Sequence, residues 1–383
     1  MKNMQYQSKL PHVGTSIFTV MSALASKHQA INLSQGFPDF ESDPKLIDLV
    51  TKAMRKGYNQ YAPMAGVFEL REQIAEKFDL LYQSSYDSES EITITAGATQ
   101  AISCIISAFV SKDDEVIIFK PAYDSYEPFI ELNDGKTISI QLQHSQYNVD
   151  WEQVKEQITN RTKMIIINTP HNPSGSIFSK EDMLQLEAIT NGTDIVVLSD
   201  EVYEHIIFDS EKHQSACLFP DLKSRSFVVA SFGKTFHNTG WKVGYCCAPK
   251  ELMSEFRKVH QFNVFCVNHP LQKGLAEYLK EPSYYLNLPQ FYQEKRDLFL
   301  GLIESSRFKF LPSKGTYFQV LDYSDITTEN DVEFAKRLTA ESGIASIPLS
   351  VFNTNNLNNN VLRFCFAKSN ETLKKAADIL NTL

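Results

Sequence analysis

The sequence predicts an α/β fold in which a mostly parallel central sheet is sandwiched by helices, with a smaller α+β domain after it. Three observations carry this expectation. Short β-branched runs alternate with longer amphipathic ones. The runs are apolar throughout, as strands buried on both faces must be. After about Pro282 the texture changes to a long helical stretch and separate strand candidates. A chain of 383 residues also exceeds what one hydrophobic core supports, so two domains are expected.

Taken in order, the buried parallel strands are ITIT at Ile92–Thr95, EVIIF at Glu115–Phe119, KMIIIN at Lys163–Asn168, IVVLS at Ile195–Ser199 and SFVVAS at Ser226–Ser231. Helices are expected over Ala98–Val110 and Ser179–Ile189. The second opens with Ser179 and Asp182 three positions on, so that each side chain can satisfy the other's backbone N–H. Adjacent Cys246 and Cys247 read as packed along a strand. Beyond Pro282 one long helix over Tyr284–Ser305 precedes strands at Gly315–Leu321 and Val361–Ala367 and a final helix. The first forty or so residues carry Gly36, Pro38 and Pro44 and little periodicity. They are assigned to an arm, 1–42, packing near the small domain; the large domain is placed at 43–280 and the small one at 281–383. The run NTNNLNNN, Asn353 to Asn360, reads as a polar surface loop.

Composition excludes several classes. Hydrophobic residues make up 43% and charged residues 22%, ordinary for a water-soluble globular protein. A formal charge of -9 repels nucleic acid and anionic lipid, so neither is an expected partner. No run reaches membrane-spanning length, and MKNMQYQSKLPHVG has no apolar stretch behind its lysine, which predicts a cytoplasmic protein. Six cysteines without a C-x-x-C pair fit reduced thiols there, with no metal site. No GxGxxG or Walker loop points to a nucleotide.

Polar residues at strand ends carry the chemistry. In Ser231-Phe-Gly-Lys234 a lysine follows a buried run, where an ammonium is costly and a neutral amine is a nucleophile for an aldehyde. Alone, S-x-x-K is more often a surface turn. Ala96-Gly97-Ala98-Thr99-Gln100 places a glycine between strand and helix, so that free N–H groups, the helix dipole and the Thr99 hydroxyl converge on one anion site; a plain tight turn has the same pattern. Asn172 in NTPHNPSG offers an amide on a turn fixed by Pro and Gly, itself a common turn. Asp200 ends VVLSD with Tyr203 three residues on, and a helix cap is the competing reading. Tyr123 in KPAYDSY either stacks on a ligand or fills the core. Arg363, flanked by apolar residues in VLRFCFA, demands a carboxylate partner, from an internal acid or from a ligand.

SFGKTFHNTGWKVGY, Ser231 to Tyr245, resembles the cofactor-lysine segment of class I/II aminotransferases, which are fold type I pyridoxal 5′-phosphate (PLP) enzymes. The other motifs follow in that family's order from Gly36 to Arg363. QGFPDF, NQYAPMAG, TPHNPSG and GKTFHNTGWKVG together are most similar to the methionine, glutamine and kynurenine aminotransferases. The resemblance implies that PLP bonds covalently to Lys234, and that Ser231, Lys242 and the Gly97-Ala98-Thr99 turn hold its phosphate. Lys242 stands where many members carry arginine, a point charge in place of a fork. It further implies that Tyr123 stacks on the ring, that Asn172 and Tyr203 donate to the phenolic oxygen, and that Asp200 keeps the ring nitrogen protonated. Arg363 is to fork onto the substrate α-carboxylate beside Asn172 and the Gly36 backbone. Tyr61, in NQYAPMAG, is to reach the phosphate of the neighbouring subunit, which makes the protein a homodimer with shared active sites.

The activity implied is transfer of the α-amino group of an amino acid to a 2-oxo acid by a ping-pong mechanism, with Lys234 also moving the proton at the substrate Cα. Methionine, aromatic or similar apolar donors are expected, and 26 Phe and 16 Tyr lean the same way. A C–S β-lyase on the same scaffold is the first alternative, told apart by its product, pyruvate with ammonia. A PLP-binding transcription regulator is the second; it needs a basic DNA-binding module that this acidic sequence does not show.

Overall fold

The computed structural model describes residues 7–383. Its strands are β1 Ile31–Asn32, β2 Ile92–Thr95, β3 Glu115–Lys120, β4 Lys136–Gln141, β5 Thr162–Asn168, β6 Val196–Asp200, β7 Ser226–Ser231, β8 Gly244–Cys247, β9 Phe318–Asp322, β10 Ile344–Ala345, β11 Ile347–Pro348 and β12 Val361–Cys365. A seven-stranded sheet runs β2-β8-β7-β6-β5-β3-β4. Alternate residues feed two cores, one on each face: Ile117, Ile165 and Val197 on one side, Val116, Ile166 and Leu198 on the other. That two-sided burial is what the unbroken apolar runs require.

The expected strands β3, β5, β6 and β7 pair in parallel, and ITIT runs in the same direction as they do but pairs with none of them. That strand, β2, bonds only to β8, antiparallel, with Ile92 opposite Cys247 and Thr95 opposite Gly244. The connection from β7 to β8 is the cause: it returns directly to a neighbouring position, which only an antiparallel strand can take without a crossover. β8, holding Cys246 and Cys247, thereby separates β2 from the rest. β4 was not predicted; as an edge strand it is partly exposed and its sequence KTISIQ is half polar.

The helix Ala98–Phe109 follows β2 directly. The helix Lys180–Thr190 has the reciprocal Ser179 and Asp182 bonds of a capping box. The stretch Tyr284–Ser305 is not one helix but two, Ser283–Leu286 and Leu288–Leu302, divided at Asn287. Pro289, in the first turn of the second, lacks the N–H that would continue the first. The strand expected from Gly315 begins at Phe318, because Thr316 takes a φ of 64° and the amides of Lys314 and Gly315 bond the Gly175 carbonyl instead. β9, β12 and β11 form a separate antiparallel sheet.

Within the first forty residues lies an unpredicted helix, Ile17–His28, capped by Ser16 and burying Met21 and Ala25 one turn apart. Its serines and threonine dilute the apolar period. β1 pairs in parallel with β10. The asparagine-rich run is not simply a surface loop: Asn353 is 3% exposed, donates to the Leu357 carbonyl at 2.7 Å and accepts from Gln141 at 3.0 Å. No helix among the described residues is long and apolar enough to cross a membrane.

Close helix packing generates a stability test. The helix His269–Leu279 lies on Pro44–Arg55, and a Cβ at Gly274 would press on the Val50 side chain and sit 3.0 Å from its backbone nitrogen. Gly274→Ala is therefore expected to cost about 1–3 kcal/mol despite alanine's better helix propensity. A calorimetric Tm equal to or above that of the parent would contradict this packing.

Candidate active site

The parallel strands β5, β6 and β7 end side by side at Asn168, Asp200 and Ser231, the edge where α/β sheets collect polar residues. A cavity of about 150 Å³ opens there, with Gly97, Ala98, Thr99, Tyr123, Asn172, Asp200, Tyr203, Ser231, Lys234 and Lys242 in its wall. Ten of the residues singled out in the sequence thus come together from five segments of chain. Gly36 and Arg363 reach them through hydrogen bonds. Tyr61 does not: it is 82% exposed and packs edge-on against Phe265 at 5.3 Å, outside this cavity.

One end of the cavity is built for an anion. Gly97, at φ 76° and ψ 168°, turns the chain from β2 into the helix Ala98–Phe109, whose first N–H groups have no side-chain cap. Lys242 adopts a left-handed φ of 52° and brings its ammonium to the same place, where a Cβ on Gly97 would stand 3.1 Å from Nζ. Gly244 lets β8 lie this close. A Cβ there would meet the Ala230 carbonyl at 2.6 Å and the Ala98 nitrogen at 3.0 Å.

Asp200 is 3% exposed, and burial pushes its carboxyl up to about 6 against the opposing effect of a hydrogen bond from Tyr126, whose hydroxyl donates to Oδ2 at 2.6 Å. Asn168 fastens the strand end, donating to the Asp200 carbonyl at 2.8 Å and accepting from the Asn172 amide at 2.8 Å. Tyr203 is buried, its ring edge-on to Tyr317 at 5.2 Å, and desolvation holds its phenol protonated. On the far side of this segment Glu204 accepts from Lys77, Tyr245 and Tyr82, and Glu201 meets His213 Nε2 at 2.7 Å. Between Asp200 and His205, Asp200, Val202 and Tyr203 therefore face the cavity, while Glu201, Glu204 and His205 face buried polar partners.

Lys234 follows β7 in the short helix Phe232–Thr235. Its amine, pushed down to about 8 chiefly by burial, donates to the Gly36 carbonyl and to Tyr317 Oη, both at 2.9 Å. Arg363 is 1% exposed in β12, donating to Asn172 Oδ1 at 2.7 Å and to the Ser34 carbonyl at 2.9 Å, with its guanidinium carbon 3.9 Å from the Phe318 ring centre. No Asp or Glu among the described residues pairs with it, and its Nε has no acceptor. The sequence demanded a carboxylate for this residue; the fold supplies none. Asn172 holds the arginine through its oxygen.

Three residues escaped the sequence reading. Tyr126 lies three positions after Tyr123 in the same PAYDSY segment, where nothing local sets it apart from a core tyrosine. Asn168 opens the motif in which only Asn172 was given a role. Tyr317 gave no signal, since its contact with Lys234 joins positions 83 apart in the chain.

Fold and site together define an aminotransferase, and the chain belongs to the class I and II aminotransferase family, whose model matches residues 28–380. It is 50% identical over 378 residues to the methionine aminotransferase of Escherichia coli K12, covering 98% of each chain. A crystal structure of an E. coli protein with methionine aminotransferase function superposes with a TM-score of 0.97 at 49% identity, over 99% of this chain and 100% of that one. The N-succinyldiaminopimelate aminotransferase of Mycobacterium tuberculosis follows with a TM-score of 0.95 at 32% identity, over 99% and 100%. A kynurenine–oxoglutarate transaminase of Dictyostelium discoideum is 31% identical, over 96% and 94%.

The family's cofactor is pyridoxal 5′-phosphate, and the donor set fits it: a helix N-terminus and a lysine for a phosphate, a buried carboxylate for a ring nitrogen, and a lysine of lowered basicity between them. Gly244→Ala, which pushes β8 off the turn at Gly97, is expected to weaken PLP binding about 10-fold or more. Fluorescence titration of the cofactor-free protein measures this directly; an unchanged dissociation constant would remove Gly244 from the phosphate cradle.

Proposed function

We propose that this aminotransferase takes its amino group from methionine or a similar apolar amino acid and passes it to a 2-oxo acid, with Lys234, Asp200 and Arg363 as the principal working residues. The observation that carries the reading is Arg363, a buried guanidinium beside the cavity with no internal carboxylate. An α-carboxylate common to every donor and acceptor answers that deficit, so one arginine serves both halves of the cycle. The methionine preference rests on the 50% identity to the E. coli enzyme.

Bound in the cavity, PLP supplies the aldehyde that receives the amino group and a ring that withdraws electrons from the substrate Cα. Lys234 would hold the cofactor covalently, and its Nζ, when free, would take the Cα proton and return it. Burial, which lowers its basicity to about 8, leaves a free-amine fraction near neutral pH for that work. Asp200 holds a negative charge against the ring nitrogen, and Tyr203 and Asn172 donate to the phenolic oxygen. Tyr123 stacks on the ring. Ser231, Lys242 and the amides of Gly97, Ala98 and Thr99 bind the phosphate. Gly36 borders the carboxylate site. This division of labour suits an arm at 1–42, a large domain at 43–280 and a small domain at 281–383.

The protein is further proposed to be a cytoplasmic homodimer. Six unpaired cysteines, five of them buried, support a reducing compartment. Tyr61, Phe262 and Phe265, exposed by 82%, 87% and 49%, support an apolar surface that a second copy covers.

Amino donors are to be screened against several 2-oxo acids, with methionine expected to lead and its 2-oxo product to appear in equal amount to the new amino acid. Pyruvate with ammonia from a β-substituted donor, without amino transfer, would make the protein a lyase instead. Arg363→Leu is expected to raise KM for donor and acceptor alike by about 100-fold, the value of roughly 3 kcal/mol for a desolvated charge pair. An effect on the donor alone would make Arg363 a reader of the side chain.

Mixing tests the shared site. Lys234→Ala and Tyr61→Ala subunits, each impaired alone, are expected to recover roughly a quarter of parental activity after random re-pairing, since half the dimers are mixed and each has one intact site. No recovery, with subunit exchange verified, would place both residues in the same subunit's site or Tyr61 outside it.

A further inference from the structure

The geometry points to Tyr126 as a positioning residue for amino transfer: its phenol keeps the buried Asp200 carboxyl ionised and fixes which carboxylate oxygen faces the cavity. This rests on Asp200 being the partner of the cofactor ring nitrogen. The two side-chain bonds Asp200 makes are unequal. Tyr126 donates to Oδ2 at 2.6 Å, whereas the Val202 amide stands 3.4 Å from Oδ1. Oδ2 is therefore committed, and Oδ1 is the oxygen left for a ligand.

The remaining neighbours cannot replace that bond. Lys234, in the helix Phe232–Thr235, favours the ionised form without forming an ion pair with it, and Glu201, next in the chain, opposes it. Tyr123 and Tyr203 approach as neutral phenols. Asn168 donates to the Asp200 backbone carbonyl and not to the carboxylate. Tyr126 itself is 3% exposed in the helix Tyr126–Leu132, and burial beside Asp200 holds its phenol protonated at any assay pH, so it is always a donor. A short O–H···O⁻ bond in a desolvated site is among the stronger hydrogen bonds. Its loss is expected to raise the Asp200 pKa by about one pH unit or more.

The sign of the resulting pH effect is fixed by linkage. The folded-state carboxyl, at about 6, already lies above its ordinary unfolded value, so the native protein binds the extra proton and loses stability as pH rises through that range. Raising the folded value further extends the loss to higher pH. In cofactor-free protein the Tm deficit of Tyr126→Phe relative to the parent should therefore widen between pH 5.5 and 7.5. PLP should bind the variant more weakly, least so at the highest pH, where Asp200 ionises even without the phenol. The acid limb of kcat/KM should move up by about one pH unit.

Each measurement is repeated in an Asp200→Asn background, where the pH-dependent part of the Tyr126→Phe effect should vanish. A Tm deficit that is constant with pH, or whose pH dependence persists unchanged in that background, would reduce Tyr126 to a packing residue and overturn the proposal. Should Tyr126→Phe fail to fold, a ¹³C titration of the parent with Asp200 and Tyr126 both labelled decides: the Tyr126 Cζ resonance should shift with the Asp200 midpoint, and a phenol resonance that does not follow the carboxyl also overturns the proposal. Asp200→Asn protein that binds PLP as tightly as the parent at pH 8 would remove Asp200 as the cofactor's partner, and with it the catalytic role given to Tyr126. The Tm comparison would still report the Tyr126–Asp200 bond separately.

Discussion

Three ionisable side chains, Asp200, Lys234 and Arg363, sit around one small cavity, and none forms an ion pair with an opposite charge among the described residues. Their basicities are all displaced toward the neutral form, the carboxyl up to about 6, the amine down to about 8 and the guanidinium down to about 10, each chiefly by burial. Pairing them with one another would have quenched them. Holding them apart in a desolvated space is the constraint on which the rest of the architecture depends, because an unpaired buried charge destabilises the fold that carries it.

The surrounding structure meets that cost with neutral donors and acceptors rather than with counter-charges. Arg363 is satisfied by an amide oxygen and a backbone carbonyl, Lys234 by a carbonyl and a phenol, Asp200 by a phenol and a backbone amide. Neutral partners orient a charge yet leave its field available to a ligand. Where the chain needs charged groups for its own anchoring, it places them on the other side of the same segment. Glu204 with Lys77, and Glu201 with His213, tie down the residues between Asp200 and His205 from behind, away from the cavity.

What could be read in the sequence divides along the same line. Residues whose demand is local were legible: an apolar run ending in aspartate, a lysine or arginine among hydrophobic neighbours, a glycine between strand and helix. Five strands and the capping box at Ser179 followed from composition and period alone. Partners supplied from distant segments were not legible, because nothing in YDSY marks Tyr126 as the donor to a carboxylate 74 positions away, and nothing in GTYF marks Tyr317 as the acceptor for Lys234. The reversed strand β8 between β2 and β7 was hidden for a related reason: a buried run has the same texture in either direction, and only the direct return from β7 to β8 decides it.

The two bonds made by Lys234 carry one further consequence for its chemistry. A neutral primary amine has two N–H groups and one lone pair. Tyr317 donates its own proton to the Gly36 carbonyl, so toward Lys234 the phenol oxygen acts as an acceptor. Both N–H groups of the neutral amine are thereby engaged, one on Gly36 and one on Tyr317, and the lone pair is the one feature left without a partner. An ammonium would carry a third proton for which the described residues offer no further acceptor. The same contacts that satisfy the buried nitrogen thus favour its deprotonated form and leave its nucleophilic electron pair free. They also join three parts of the chain, since Gly36 precedes the helix Pro44–Arg55, Lys234 follows β7 and Tyr317 leads into β9. A change at the nitrogen is therefore felt at once by all three.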